Sequence, residues 1–167
     1  MTVIVNAIII LVLYTIILCV VNKQIPNSLS ASVFALPPSG SWLWTVVIGG
    51  VSFMTMPTLI EVTPDTWRFL AFISCAGLAF VAVCPLIPDK TDLTYKIHMA
   101  GAITCAVASQ LLVAIVKWWL LLGWLPWIIA FIWITKDHSR WRTQVFWAEM
   151  TCFAISFGYC MLNLIGF

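Results

Sequence analysis

VIVNAIIILVLYTIILCVV, residues 3–21, contains no charged side chain. At the helical rise of 1.5 Å per residue it reaches roughly 29 Å, the thickness of a bilayer's hydrocarbon core. Runs of the same character recur at about 42–60, 65–84, 97–116, 118–135 and 144–165 and use nearly the whole chain. The chain is 63% hydrophobic and 8% charged, where a soluble domain has about 25% charged residues, so its surface is built for lipid. The expected fold is therefore all-α: a polytopic transmembrane six-helix bundle in a single domain, residues 1–167. The first run has no basic segment before it and no small-x-small cleavage site after it, and it reads as an uncleaved helix rather than a secretory signal.

The breaks between the runs are written in turn and cap chemistry. Asn22, Lys23 and Gln24 end the first run, and Ile25 to Gly40, with Pro26, Pro37 and Pro38, reads as a loop or re-entrant piece. Thr63-Pro64-Asp65 offers a cap and a first-turn proline for the third helix, which stops at Pro85. Pro88, Asp89, Lys90, Thr91 and Asp92 form the next loop. Lys117 and Trp118 fall at a tight turn, and Lys136, Asp137, His138, Arg140 and Arg142 make the most basic loop.

Basic loops resist translocation, so they set the orientation. With six spans, one side holds Lys23, Lys90, Lys96, Lys136, Arg140 and Arg142, and the other only Arg68 and Lys117. The loops after the first, third and fifth spans are then cytoplasmic, and both termini lie on the non-cytoplasmic side. Topology accounts for these cations, and nothing points to nucleic acid. The ten tryptophans gather near span ends, as in Trp42-Trp44, Trp118-Trp119 and Trp124-Trp127, and read as interfacial anchors. Cys19, Cys75, Cys84, Cys105, Cys152 and Cys160 lie within spans and read as small apolar residues, without a C-x-x-C pair.

An ionisable group in hydrocarbon is costly unless it faces protein or water, so the polar residues inside spans carry the most information. Glu149 lies roughly 9 Å along the last helix from its start. At 100° per residue it shares one face with Cys152, Ser156, Cys160 and Asn163, a stripe expected to point into the bundle. On the fourth helix His98, Ala102, Cys105 and Ser109 share a face, with Gly101 and Ala106 beside it and Gln110 to one side. Thr45, Gly49, Ser52 and Met56 repeat the pattern on the second helix, and Ser74 and Gly77 on the third. Small residues let helix backbones approach, so four such faces predict one tight central bundle. They hold few charges and no repeated polar ring, which argues against a water-filled pore.

The two histidines fall short of the three protein ligands a catalytic zinc usually takes, and H-E-x-x-H is missing, so no metal and no cofactor are expected. No G-x-S-x-G turn supports a serine hydrolase. The best candidate site is polar and cytoplasmic: Ser28 and Ser30 from the first loop, with Asp89, Asp92, Lys96 and His98 from the second. These hydroxyls, carboxylates, ammonium and imidazole suit a headgroup or a partner's backbone. His98 and the Ser28–Ser30 segment are expected within hydrogen-bond reach of one another or of one bound headgroup. The competing reading is plain: turn serines, an Asp92 or Thr94 helix cap, and an interfacial histidine.

Pro26-Asn27-Ser28-Leu29-Ser30 with Phe34, then Phe72 to Phe80 reading FISCAGLAF, Cys84-Pro85, a short acidic loop and Ile97-His98-Met99-Ala100-Gly101-Ala102 resemble an uncharacterised bacterial six-helix membrane family. That family is distantly similar to Frag-type and DRAM-type membrane proteins. The resemblance covers less than half the chain and implies a bacterial inner-membrane location. It makes Ser28, Ser30, Pro88, Asp89 and His98 the counterparts of the family's Ser-x-Ser, proline-aspartate and histidine motifs. It supplies no reaction and no counterpart for Glu149.

Three classes of function follow. The small size and missing catalytic signature favour a non-enzymatic module that binds membrane lipids, or a subunit of a membrane complex, with a membrane-protein partner or a second copy of itself. A lipid-modifying intramembrane enzyme would use His98 with an acid. A small transporter or channel would use Glu149, although the unequal helices show no inverted repeat. What the polar stripes face discriminates among the three: a closed, dry bundle favours the module, a lateral cleft holding an acyl chain favours the enzyme, and a hydrated path favours transport.

Overall fold

The apolar runs fold as helices because nothing in them competes with the backbone's own hydrogen bonds, and each ends where proline, glycine or a polar cluster interrupts. In order they are α1 (Thr2–Asn22), α2 (Trp42–Val62), α3 (Arg68–Val83), α4 (Leu93–Lys117), α5 (Leu125–Ile134) and α6 (Gln144–Leu164). Shorter 3₁₀ segments cover Ser30–Ala35, Asp65–Trp67 and Trp118–Trp124. The structure, a computed structural model, describes residues 1–36, 40, 42–134 and 143–166. Pro37, Pro38 and the basic stretch with Lys136, Asp137, His138, Arg140 and Arg142 lie outside the described residues.

Among the described residues five helical segments are long and apolar enough to cross a membrane: Thr2–Asn22, Trp42–Val62, Asp65–Val83, Leu93–Trp133 and Gln144–Leu164. The chain is a helical, multi-pass membrane protein. Its surface is arranged for a non-aqueous solvent: Phe53 is 83% exposed and Trp133 78%, while His98 is 1% exposed and Ser32 1%. Polar side chains turn inward because lipid offers them no partner.

The predicted fifth run is not one α-helix. Lys117, at φ −143° and ψ 62°, breaks α4; Trp118–Trp124 is 3₁₀, and α-helix resumes only at Leu125. Pro126 supplies the reason, since it cannot donate to a preceding carbonyl and is tolerated only in a helix's first turn. The chain folds back at this break, for Trp124 Nε1–H donates to Gln110 Oε1 at 2.8 Å and Trp127 Nε1–H to the Gln144 carbonyl at 3.2 Å. The start of the third helix also differs in detail from the expected cap. Thr63 bonds back to the Leu59 carbonyl and leaves Asp65–Trp67 without a side-chain cap. Asp92 caps α4, its carboxylate accepting from Thr94 N–H at 2.6 Å.

Small residues join α2, α3 and α4 into one slab. Thr45 donates to the Ala82 carbonyl at 2.9 Å, Ser52 to the Cys75 carbonyl at 2.9 Å, and Ser74 to the Cys105 carbonyl at 3.3 Å. Between α3 and α4 the backbones touch. A Cβ on Gly77 would lie 2.7 Å from both Cys105 N and the Gly101 carbonyl oxygen, and one on Gly101 would lie 2.7 Å from the Gly77 carbonyl oxygen. Only glycine fits there.

The ends of the bundle are fixed by cross-helix bonds. At one end, the Ser30 end, Trp44 at the start of α2 donates through Nε1 to the Val81 carbonyl near the end of α3 at 3.1 Å. Phe146 N–H, at the start of α6, donates to the Asn27 carbonyl at 3.2 Å. At the opposite end, Tyr159 hydroxyl, late in α6, donates to the Val62 carbonyl at 3.3 Å.

Candidate functional site

Four helices that meet at the Ser30 end leave a cavity of about 110 Å³. Its wall is mostly apolar: Ile48 and Leu59 from α2, Leu78 and Val81 from α3, Ala102 and Ala106 from α4, Phe153 and Phe157 from α6. From His98 to Ser109 along α4 the lining extends roughly 16 Å at the helical rise. Leu29 and Ser30 close one end, where Trp44, His98 and Glu149 also line it.

That closure is built by Glu149. The last helix carries it inward on the predicted stripe, and its Oε2 accepts from Leu29 N–H at 2.5 Å while Oε1 accepts from the Ser30 hydroxyl at 3.4 Å. Ser28 Oγ accepts from Ala31 N–H at 2.9 Å and lies 3.3 Å from Ser30 Oγ. With Ser30 donating to the carboxylate, Ser28 is left to donate to Ser30, and the two hydroxyls form a short chain leading to Glu149. Tyr14 of α1 reaches Ser32 at 3.1 Å and holds the same segment against the bundle.

His98 is positioned differently. Its Nδ1 lies 2.6 Å from the Cys84 carbonyl at the end of α3, and the Trp44 ring lies 6.4 Å from it, centroid to centroid. A carbonyl only accepts, so Nδ1 carries the proton and Nε2 holds a lone pair in the neutral ring. Nε2 has no protein partner among the described residues. Ser28 and Ser30 bond to each other and to Glu149, not to His98; Ser30 and His98 share the cavity rather than a hydrogen bond.

Asp89 and Lys96 are exposed and do not line the cavity. Asp89 Oδ1 accepts from Thr91 N–H at 2.9 Å and from the Thr91 hydroxyl at 2.7 Å, a turn that holds the Asp89 carboxyl below its usual value. Ser109 and Ser156 line the deeper part of the cavity. Gln110 links their helices there, donating to Ser156 Oγ at 3.3 Å while it accepts from Trp124. Asn163 lies farther along α6 and donates within its own helix to the Tyr159 carbonyl at 2.7 Å.

Two contributors were not singled out from the sequence. Trp44, read as an interfacial anchor beside Trp42, is 1% exposed, whereas Trp42 is 61% exposed. The signal was there in its spacing, because Trp44, Ile48, Val51 and Thr55 fall on one helical face. Leu29 contributes a backbone N–H, which no residue type announces.

Chemically, the arrangement is a mostly apolar cavity with a carboxylate, a hydroxyl and an imidazole at one end. His98 is oriented by a carbonyl rather than a carboxylate, and neither serine is hydrogen-bonded to it as a nucleophile to its base. Among the described residues no three His, Cys, Asp or Glu side chains gather as a metal site. Compared with family models, with curated proteins and with solved structures, the chain has no match.

Proposed function

We propose that the protein is a lipid-binding module of a cell membrane, one that takes the polar group of a single-chain amphiphile and the first few carbons of its chain into the cavity at the Ser30 end, the rest of the chain lying along the helices in the bilayer. The observation that carries this reading is the cavity itself, mostly apolar, with Ser30, His98 and Glu149 at one end, lined by α2, α3, α4 and α6. Apolar space between membrane helices is favourable only when filled, because its lining otherwise loses dispersion contacts. The resemblance of Pro26–Ser30, Phe72–Phe80 and Ile97–Ala102 to a bacterial six-helix family supports an inner-membrane location.

Six crossings with both termini outside belong to this proposal. Gln144 and His98 belong to helices that both start at the Ser30 end, and a sixth crossing between Lys117 and Gln144 fits that arrangement. The bonds from Trp124 to Gln110 and from Trp127 to Gln144 support such a return. Seven 3₁₀ residues and ten α-helical ones reach roughly 29 Å, enough to cross. The excess of Lys and Arg puts the Ser30 end in the cytoplasm. In a background without reactive native thiols, Lys90→Cys should label only from the cytoplasm and Thr66→Cys only from outside; the reverse pattern would invert the orientation.

The binding reading is tested by native mass spectrometry of the protein released from membranes. The wild type should retain a single-chain amphiphile, and Ala102→Phe, which fills the cavity, should lose it while keeping its helical circular dichroism. A folded wild type that neither retains nor takes up any chain rejects the module.

A further inference from the structure

We infer that the amphiphile held at the Ser30 end carries a protonated primary amine, paired with Glu149. This rests on the lipid-binding reading above and concerns what the polar end of that cavity selects.

The argument is an inventory of donors and acceptors. Among the described residues that line the cavity at this end, every N–H and O–H donor is already used; Gln144 Nε2, buried and without a partner at the start of α6, lines a separate pocket. Leu29 N–H and the Ser30 hydroxyl point at Glu149. Trp44 Nε1–H is used by the Val81 carbonyl, and His98 Nδ1–H by the Cys84 carbonyl. What remains open is acceptor capacity alone. A carboxylate offers about four lone-pair directions and two are taken, and His98 Nε2 has one more.

Charge gives the same answer. The one ion pair among the described residues joins Arg68 and Asp65 at 2.8 Å, and none of the described cationic side chains pairs with Glu149. The cavity's other titratable lining consists of His98 and the thiols of Cys75, Cys105 and Cys152, none of which supplies a fixed positive charge. Among the described lining of the cavity, a fatty acid or phosphate headgroup would meet a carboxylate and find no free donor. A long-chain alcohol would give one hydrogen bond. An ammonium brings three donors and the opposite charge, and in a low-dielectric site a charge-assisted bond outweighs a neutral one about twofold in strength. The first carbons of the hydrocarbon chain would then lie beside Ala102 and Ala106.

The probes are oleylamine, oleyl alcohol and oleic acid, which share one chain and differ only in headgroup, added to delipidated protein in a neutral detergent. Binding is read by native mass spectrometry and tryptophan fluorescence, with protein-free micelles as the partition reference. The amine should bind about tenfold or more tighter than the alcohol, and the acid weakest. Glu149→Gln should bring the amine down close to the alcohol's level and weaken the alcohol far less. Equal binding of all three, or an acid that binds best, would overturn the amine assignment while leaving the module standing. Binding of none would remove both. An amine preference that survives in folded Glu149→Gln protein would show that Glu149 is not its partner. Should that variant not fold, the ranking of the three probes on the wild type still decides.

Discussion

Helix α4 has two neighbours of opposite character. Against α3 its backbone lies in direct contact at Gly77 and Gly101, with no room for a methyl group. Toward α6 the same helix stands off, and the gap lined by Ala102, Cys105, Ala106 and Ser109 on one side and Glu149, Cys152 and Phe153 on the other is the cavity. Both faces of α4 are rich in small residues, so residue size on one helix does not decide between contact and space. The partner decides. Where α3 also presents glycine, dispersion pulls the backbones together; where α6 presents Phe153 and Phe157, bulk holds the helices apart.

The sharpest way to break this contrast is to put a methyl group on the touching side. Gly101→Ala or Gly77→Ala sets a Cβ against backbone atoms, which cannot move aside as a side chain could. We expect a loss of about 1–3 kcal/mol, typical of overpacking, visible as a lower thermal midpoint in detergent. Gly50→Ala and Gly158→Ala are the controls, since a Cβ at either meets nothing within 4 Å. They should be neutral or slightly stabilising, because alanine is the better helix former. Equal effects at all four positions would mean that the α3–α4 contact is looser than described.

On the open side the corresponding test is Glu149→Leu. It leaves Leu29 N–H and the Ser30 hydroxyl without their acceptor, and one buried group so abandoned costs about 1–3 kcal/mol. Amide exchange at Leu29 should speed up in step. Glu149→Gln keeps an oxygen in the same place and should lose less than half as much. A leucine variant with unchanged exchange at Leu29 would show that α1 and Tyr14 hold the segment without Glu149.

These two regions also differ in how far they were legible. The α2–α3–α4 slab could be read, because Thr45, Gly49, Ser52, Ser74 and Gly77 recur at helical spacing and helix packing in lipid follows small-residue faces. The inward stripe of α6 was equally visible in Glu149, Cys152 and Ser156. Its partners were not. Glu149 binds a backbone N–H more than a hundred positions away in sequence, and a backbone group leaves no trace in residue identity. The cavity was hidden for a similar reason, since empty space depends on helix separation and not on any one residue. Grouping Asp89 and Lys96 with His98 used the correct end of the bundle, but shared sidedness does not bring side chains together. The broken fifth run was legible in Pro126 alone.

A smaller effect probes the link that lets α4 stand off α6 without losing it. Gln110 accepts from Trp124 and donates to Ser156, so Gln110→Leu and Trp124→Phe should couple in a double-mutant cycle by about 0.6 kcal/mol, the average for such bonds in membranes, with about 1.7 as the upper bound. Strict additivity would mean that the fold-back of Trp118–Trp124 depends on Pro126 and apolar packing rather than on this bond.

The smallest expected effect lies outside the bundle, in the turn that joins the two touching helices. Thr91, through its hydroxyl and its N–H, holds the fully exposed Asp89 carboxyl below its usual value. A depressed folded value means that the carboxylate's contribution is fully present above the unfolded value, near 3.9, and fades as pH falls through the lower folded one. Wild type and Asp89→Asn should therefore differ by the same small amount from pH 7 down to pH 5, and converge only in more acidic solution. Thermal midpoints measured at each pH in a neutral detergent would show this. If the gap closes already between pH 7 and pH 5, a group other than Asp89 is titrating against the α3–α4 turn. His98, whose ring reaches the same turn through the Cys84 carbonyl, would be the first to replace, by glutamine.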